Sequence, residues 1–395
     1  MIRAAPLAIF LLLGAAPVSP VLAAAERDKA PFEIVRALRI FQDEAVLKAQ
    51  VESAKQRQAI AETAIRLSKF GPRIWEEPRN ARAMVIFVFS GGNPRVLRNL
   101  IAKGVSFGVD KQLMLAALAY AERRDEDAIK LLEGLDASSL DMSVAGHVAL
   151  VHALLIEKND PAKALALLDM ARILSSGTVV EEAALRRQTI MAAKAGGFDA
   201  FQRFASQYFR RFASSIFVSS FRQQFAEEVV SPGYAGDPKR LAKLDNMLGG
   251  LREAERHRTC LLIAEEGIAV GNVEMVRLAA KNAALKGASP DTLRLKLYEA
   301  AASVVTEQTE AGLIALKSIN RSMLGGRDQA LLDAALAVAR EVRRPPMLAR
   351  AADVKPENAG EPEQGKPSEA AGSGRIARVE GVIADADKLL SEAAR

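Results

Sequence analysis

The stretch Val144–Lys158 (VAGHVALVHALLIEK), followed by Asn159-Asp160 and then Pro161–Leu174 (PAKALALLDMARIL), decides how the chain is read. Each half has apolar residues at helical spacing and is rich in Ala and Leu, which favour helix and allow close approach. Asn159-Asp160 breaks the run. Asp160 offers an oxygen to the first free N–H groups of the next helix, and Pro161 stands where the missing donor is not needed. The whole is a helical hairpin.

The same unit recurs outward from it. On the N-terminal side lie Leu113–Arg123, a turn at Arg124-Asp125, and Glu126–Leu135. On the C-terminal side lie Val179–Ala195, Gly196-Gly197 and Phe198–Phe212, and later Arg258–Val270, Gly271-Asn272 and Val273–Lys286. Turns at 125, 160, 197 and 272 keep a spacing close to the roughly 34 residues of tetratricopeptide hairpins, the last step being about two periods. The expected fold is all-α, with degenerate tetratricopeptide-like hairpins forming an α-solenoid. Asn93-Pro94, Asp237-Pro238 and Ser289-Pro290 mark further helix starts, and Gly104, Gly134, Gly177 and Gly287 suit left-handed helix ends. The dense run Met84–Phe89 reads as a buried helix end closed by Gly91-Gly92 rather than a strand. Phe32–Phe70 reads as one long helix or a hairpin of two.

The ends differ in kind. Residues 1–23 have a basic start at Arg3, an apolar run from Ala4 to Ala16, and small residues at Val21 and Ala23, the plan of a secretory signal peptide. The expected body is 24–344. Residues 345–374 alternate Pro with Glu, Gly, Lys and Ser and predict a disordered linker. Residues 375–395 form an amphipathic helix with Ile376, Val379, Ile383 and Leu390 on one face, suited to docking on a partner or capping the chain's own repeats. Formal charge is +6, yet 345–395 carry nine acidic against seven basic residues, so the positive excess lies in the body. A basic exported body suits an acidic partner surface or anionic envelope polymers.

Chemistry is hard to find. His147, His152 and His257 are the only histidines. The first two, five apart, diverge by about 140° around a helix and cannot share a metal unaided. Cys260 sits in an apolar run and reads as a small core residue. Glu181-Glu182, Glu227-Glu228 and Glu265-Glu266 are expected on solvated faces. No phosphate loop, dinucleotide loop or nucleophile elbow is present. The expectation is a binding or scaffolding protein with no catalytic residue, cofactor or metal, binding no nucleic acid and not inserted stably in a membrane once the signal is cleaved. Nine of the chain's twenty aromatics fall between Phe198 and Phe225, interleaved with Arg203, Arg210, Arg211 and Arg222. Their helical spacing predicts core, with a protein-binding groove as the alternative. Candidate partner contacts are Trp75, Arg79, Arg82, Tyr208, Arg210 and Arg211.

Trp75-Glu76-Glu77-Pro78-Arg79-Asn80-Ala81-Arg82-Ala83, with Phe89-Ser90-Gly91-Gly92-Asn93-Pro94-Arg95-Val96-Leu97, resembles the chemotaxis and motility protein MotC family of α-proteobacteria. Pro31–Leu38, Ala164–Asp169, Val180–Arg187 and Gln207–Phe212 resemble further parts of it, so the similarity spans roughly 31 to 330. The resemblance implies a periplasmic accessory of the flagellar motor that binds the periplasmic part of the stator subunit MotB. A general periplasmic helical-repeat scaffold for envelope complexes is the alternative.

Overall fold

The computed structural model describes residues 29–48, 53–135, 140–283 and 289–343. The expected signal peptide (1–23), the linker (345–374), the terminal helix (375–395) and Gly287 lie outside the described residues. Among those described, regular structure is helical and no strand occurs. The all-α expectation therefore holds, and hairpins that pack on their sequence neighbours are compatible with a repeat solenoid.

The described residues fall into two compact units, one running to Met191 and including Arg211–Val218, the other holding Ala192–Arg210 and everything from Ser219 onward. In the first, Pro31–Leu47 and Ser53–Leu67 form a hairpin, which resolves the expectation of one helix or two. Pro31–Leu47 also packs on Pro78–Phe89, a helix whose residues from Ala83 to Phe89 are all buried. Lys111–Ala121 pairs with Asp125–Glu133, and Met142–Ile156 with Pro161–Leu174. Small residues dominate that last pair: Ala149 and Ala153 on one helix belong to one buried cluster with Ala164, Leu168 and Ala171 on the other. In the second unit Glu253–Ala269 pairs with Val273–Ala283, and Pro290–Ser303 with Thr309–Ser318. Cys260 is fully buried there, and burial pushes its thiol up to about 12.

Helix starts follow their local chemistry. Asn93, Asp160, Asp237 and Ser289 each accept a backbone N–H of the first turn, at 3.0, 2.9, 2.9 and 3.1 Å. Asp110 and Asp141 do the same without a following Pro, at 2.7 and 2.9 Å.

Helix ends are more revealing. Five helices finish with the same bond, in which the N–H two residues past the cap reaches back five residues: Gly92 to Phe87, Val105 to Leu100, Arg124 to Ala119, Gly197 to Ala192 and Asn272 to Gly267. The residue before each donor takes the left-handed conformation that this closure requires. Four are glycines, at φ 89°, 66°, 71° and 70°, and the fifth is Arg123 at φ 61°. A side chain in that region costs on the order of 1 kcal/mol. Gly104 and Gly177 are left-handed as expected. Gly134 is not: its φ is −79°. Its lack of a side chain serves space instead, because a Cβ there would collide with the amide nitrogen of Gln112, which donates to the Leu131 carbonyl at 2.7 Å.

Candidate protein-binding surface

The candidate contacts divide between core and surface. Trp75 lies in a short 3-10 turn, Pro72–Glu76, where the chain must double back before Pro78 opens the next helix. Its ring is fully buried and stands edge-on to Phe70 at 6.4 Å. Tyr208 is also fully buried, stacked on Phe221 at 3.8 Å. Neither side chain is open to a partner, which corrects the expectation for both. The cause is shared: an aromatic ring in a tight turn or at helical spacing with other rings gains more from burial than from exposure.

The arginines remain at the surface. Arg79 is exposed, with its guanidinium 5.9 Å from the Phe32 ring centroid. Arg82, one turn on, is partly covered and sits 3.4 Å from the Asp141 carboxylate. Arg210 is exposed. Arg211 is exposed too but is held at 2.7 Å by Glu181. The first unit therefore carries Arg79, Arg82 and Arg211, and the second carries Arg210.

Glu181 and Glu182 correct a second expectation. Both are buried rather than solvated. They occupy the first turn of Val179–Lys194, where backbone N–H groups and the helix dipole favour negative charge. Glu181 accepts from the Gly177 N–H at 2.6 Å as well as from Arg211. Glu182 accepts from Arg186 Nε at 3.2 Å, and that guanidinium lies 5.1 Å from the Phe217 ring centroid. Val179 N–H, at the same helix start, donates to Asp43 at 2.8 Å. These acids hold a helix end in place.

Two of the three histidines lie in the core, and His257 is half-buried. His147 and His152 are both buried on Met142–Ile156, and burial lowers the His147 imidazole to about 3. Among the described residues, no group of three His, Cys, Asp or Glu side chains is placed to hold a metal ion. No described helix is long and apolar enough to cross a membrane.

Two concavities went unnoticed in the sequence. One, of about 560 Å³, is lined by Phe198, Arg203, Lys239, Arg240 and Lys243 together with Asp199 and Asp237. Its charges are largely self-satisfied: Lys243 meets Asp199 at 2.5 Å, Arg240 meets Asp237 at 3.2 Å, and Arg240 also lies over the Phe198 ring at 3.7 Å. The other, of about 280 Å³, gathers Tyr120, Arg123 and Asp125 from one hairpin turn with Leu154, Leu155, Glu157 and Lys158 from the end of Met142–Ile156. The aromatic cluster already pointed at Phe198 and Arg203. Nothing in sequence spacing pairs the turn after Ala121 with the helix end near Lys158.

The arrangement offers charged and half-apolar surface for binding. No solved structure matches the chain. Among curated proteins, the chemotaxis protein MotC of Rhizobium meliloti (strain 1021) is 29% identical over 320 residues, which is 80% of this chain and 73% of that one. The family model described as chemotaxis protein MotC matches residues 1–395. The chain belongs to the MotC family.

Proposed function

We propose that the chain is a non-enzymatic accessory of the flagellar motor, exported to the periplasm, where it binds the periplasmic part of the stator subunit MotB. The family match over the whole chain carries this reading, because the family's name ties it to chemotaxis. The signal-like residues 1–23 support export. Helical hairpins support a binding role, since repeats of this kind present continuous surface without a reaction centre. Exposed Arg79 and Arg210, with Arg82 and Arg211, supply the cationic contacts, and a partner surface rich in acids is the match they need.

Deleting the gene and measuring swimming in soft agar tests the motor role: the swim zone shrinks, and a zone of normal size sinks the reading. Affinity capture with the mature chain against the purified periplasmic region of MotB tests the partner. Retention of that region distinguishes the motor accessory from a general envelope scaffold.

A further inference from the structure

Arg123 occupies a left-handed helix end where the four equivalent caps use glycine. A side chain held in a conformation that glycine would relax is a candidate for function. That side chain faces the smaller concavity, which Tyr120 and Lys158 also line. Of the acids around it, Glu122, Asp127 and Glu157 are engaged by other arginines, and Asp125, which lines the concavity as well, leaves the two cations in excess there. Glu122 is held by Arg98 at 2.6 Å and by Arg124 at 3.1 Å, Asp127 by Arg124 at 2.7 Å, and Glu157 by Arg187. Asp125 stands in the first turn of its helix, where the dipole favours its charge. Arg123 and Lys158 are exposed and form no ion pair among the described residues. Tyr120 is half-buried, edge-on to Phe89 at 5.7 Å, and burial raises its pKa, with the Arg123 charge lowering it and the Asp125 charge raising it. Its hydroxyl therefore keeps its proton and can donate. Leu154 and Leu155 add half-buried apolar surface beside these donors.

We infer that this concavity receives a carboxylate side chain, with an adjacent apolar residue, from an acidic segment of a protein partner. Arg123 clamps the carboxylate, Lys158 adds the second positive charge, Tyr120 donates a hydrogen bond, and the two leucines take the neighbouring side chain. The inference deepens the protein-binding reading above and rests on it for the partner's class.

The test uses the full mature chain and two variants, Arg123→Gly and Lys158→Gln, at low ionic strength. The probes are a labelled peptide of alternating Glu and Leu, its Gln counterpart, and the purified periplasmic region of MotB. Arg123→Gly is expected to melt at or above the wild-type temperature, since it relaxes the cap. Each variant is expected to bind the Glu peptide roughly ten-fold more weakly, the loss of one charge-assisted hydrogen bond. The Gln peptide is expected not to bind. Should Arg123→Gly fail to fold, Lys158→Gln alone carries the test. Equal binding of the Glu peptide by wild type and variants, or no binding of it at all, overturns the inference. If the Glu peptide behaves as expected and the MotB region does not bind, the concavity stands and the MotB reading falls. If the MotB region binds and neither variant weakens it, that reading stands and the concavity is not its site.

Discussion

The hairpin Met142–Leu174 and the helix pair spanning Phe198–Val229 solve one packing problem with opposite materials. In the first, Ala149 and Ala153 meet Ala164, Leu168 and Ala171, so the helices approach through small side chains. In the second, rings fill the space. Phe201 stacks on Phe225 with centroids 5.2 Å apart, Tyr208 stacks on Phe221, and Phe209 stands edge-on to both Phe221 and Phe225 at 5.2 and 5.4 Å. Stabilisation in the ring-packed pair is concentrated in a few residues, whereas in the alanine-packed hairpin it is spread over many. The two should therefore fail in opposite ways: one when a side chain is cut away, the other when a side chain is enlarged.

Phe221→Ala tests the first half with the largest effect. The ring is fully buried against three others, so its removal should cost about 3–5 kcal/mol in transfer and cavity terms. Chemical unfolding followed by near-ultraviolet circular dichroism reads it, and a loss below about 1 kcal/mol would mean the rings close over the gap. The neighbouring ion pair sharpens the point. Arg222 Nε lies 2.6 Å from a Glu255 carboxylate oxygen, both side chains almost wholly buried, and Thr259 reaches the same oxygen. Arg222→Ala leaves Glu255 buried and unmatched and should cost about 3 kcal/mol, whereas Arg222→Met with Glu255→Leu should come close to neutral. A double variant as unstable as the single one would show that packing, not charge, dominates there.

Ala164→Leu makes the opposite test on the alanine-packed hairpin. Ala164 has no exposed surface, and extra methylenes there must push the facing helix away. About 1–3 kcal/mol of destabilisation is expected, read as a lower midpoint in urea. The same enlargement at Ala200, only partly buried on Phe198–Arg211, should be tolerated within about 0.5 kcal/mol. Equal losses at the two positions would erase the distinction.

This contrast was partly legible beforehand. Alanine spacing and the paired turns marked the hairpins around Asp125, Asp160 and Asn272, because helical periodicity and capping are local and leave their mark within a few residues. The crowding of nine aromatics between Phe198 and Phe225 gave the second core for the same reason. What escaped was tertiary. Glu181 and Glu182 look like a solvated pair until Arg211, 30 residues away, closes on the first. Trp75 looks like an anchor until the 3-10 turn folds it inward. Gly134 looks like a left-handed cap, but its role is to clear space for Gln112, 22 positions back in the chain. The concavity around Arg123 shows the same limit, since its two sides come from elements that only packing brings together.

A buried imidazole offers the finest discrimination between the two regions. His147 sits inside the alanine-packed unit, and burial, helped by the charge of Arg39, holds it near 3 rather than its ordinary value of about 6.5. Folded His147 stays neutral where the unfolded chain would already take up a proton. Between about pH 6.5 and 3 the unfolded state binds the extra proton, so the stability present above pH 6.5 is lost as the pH falls through that window. His147→Leu removes this dependence while keeping an apolar side chain of similar bulk. At pH 7.5 the variant should differ little from wild type. At pH 5 it should retain more of its neutral-pH stability, so the two urea midpoints diverge on acidification. The aromatic pair carries no buried histidine, and Phe221→Leu should leave the acid slope of the chain unchanged. Parallel acid slopes for wild type and His147→Leu would mean that the imidazole reaches water in the folded state and that burial does not set its charge.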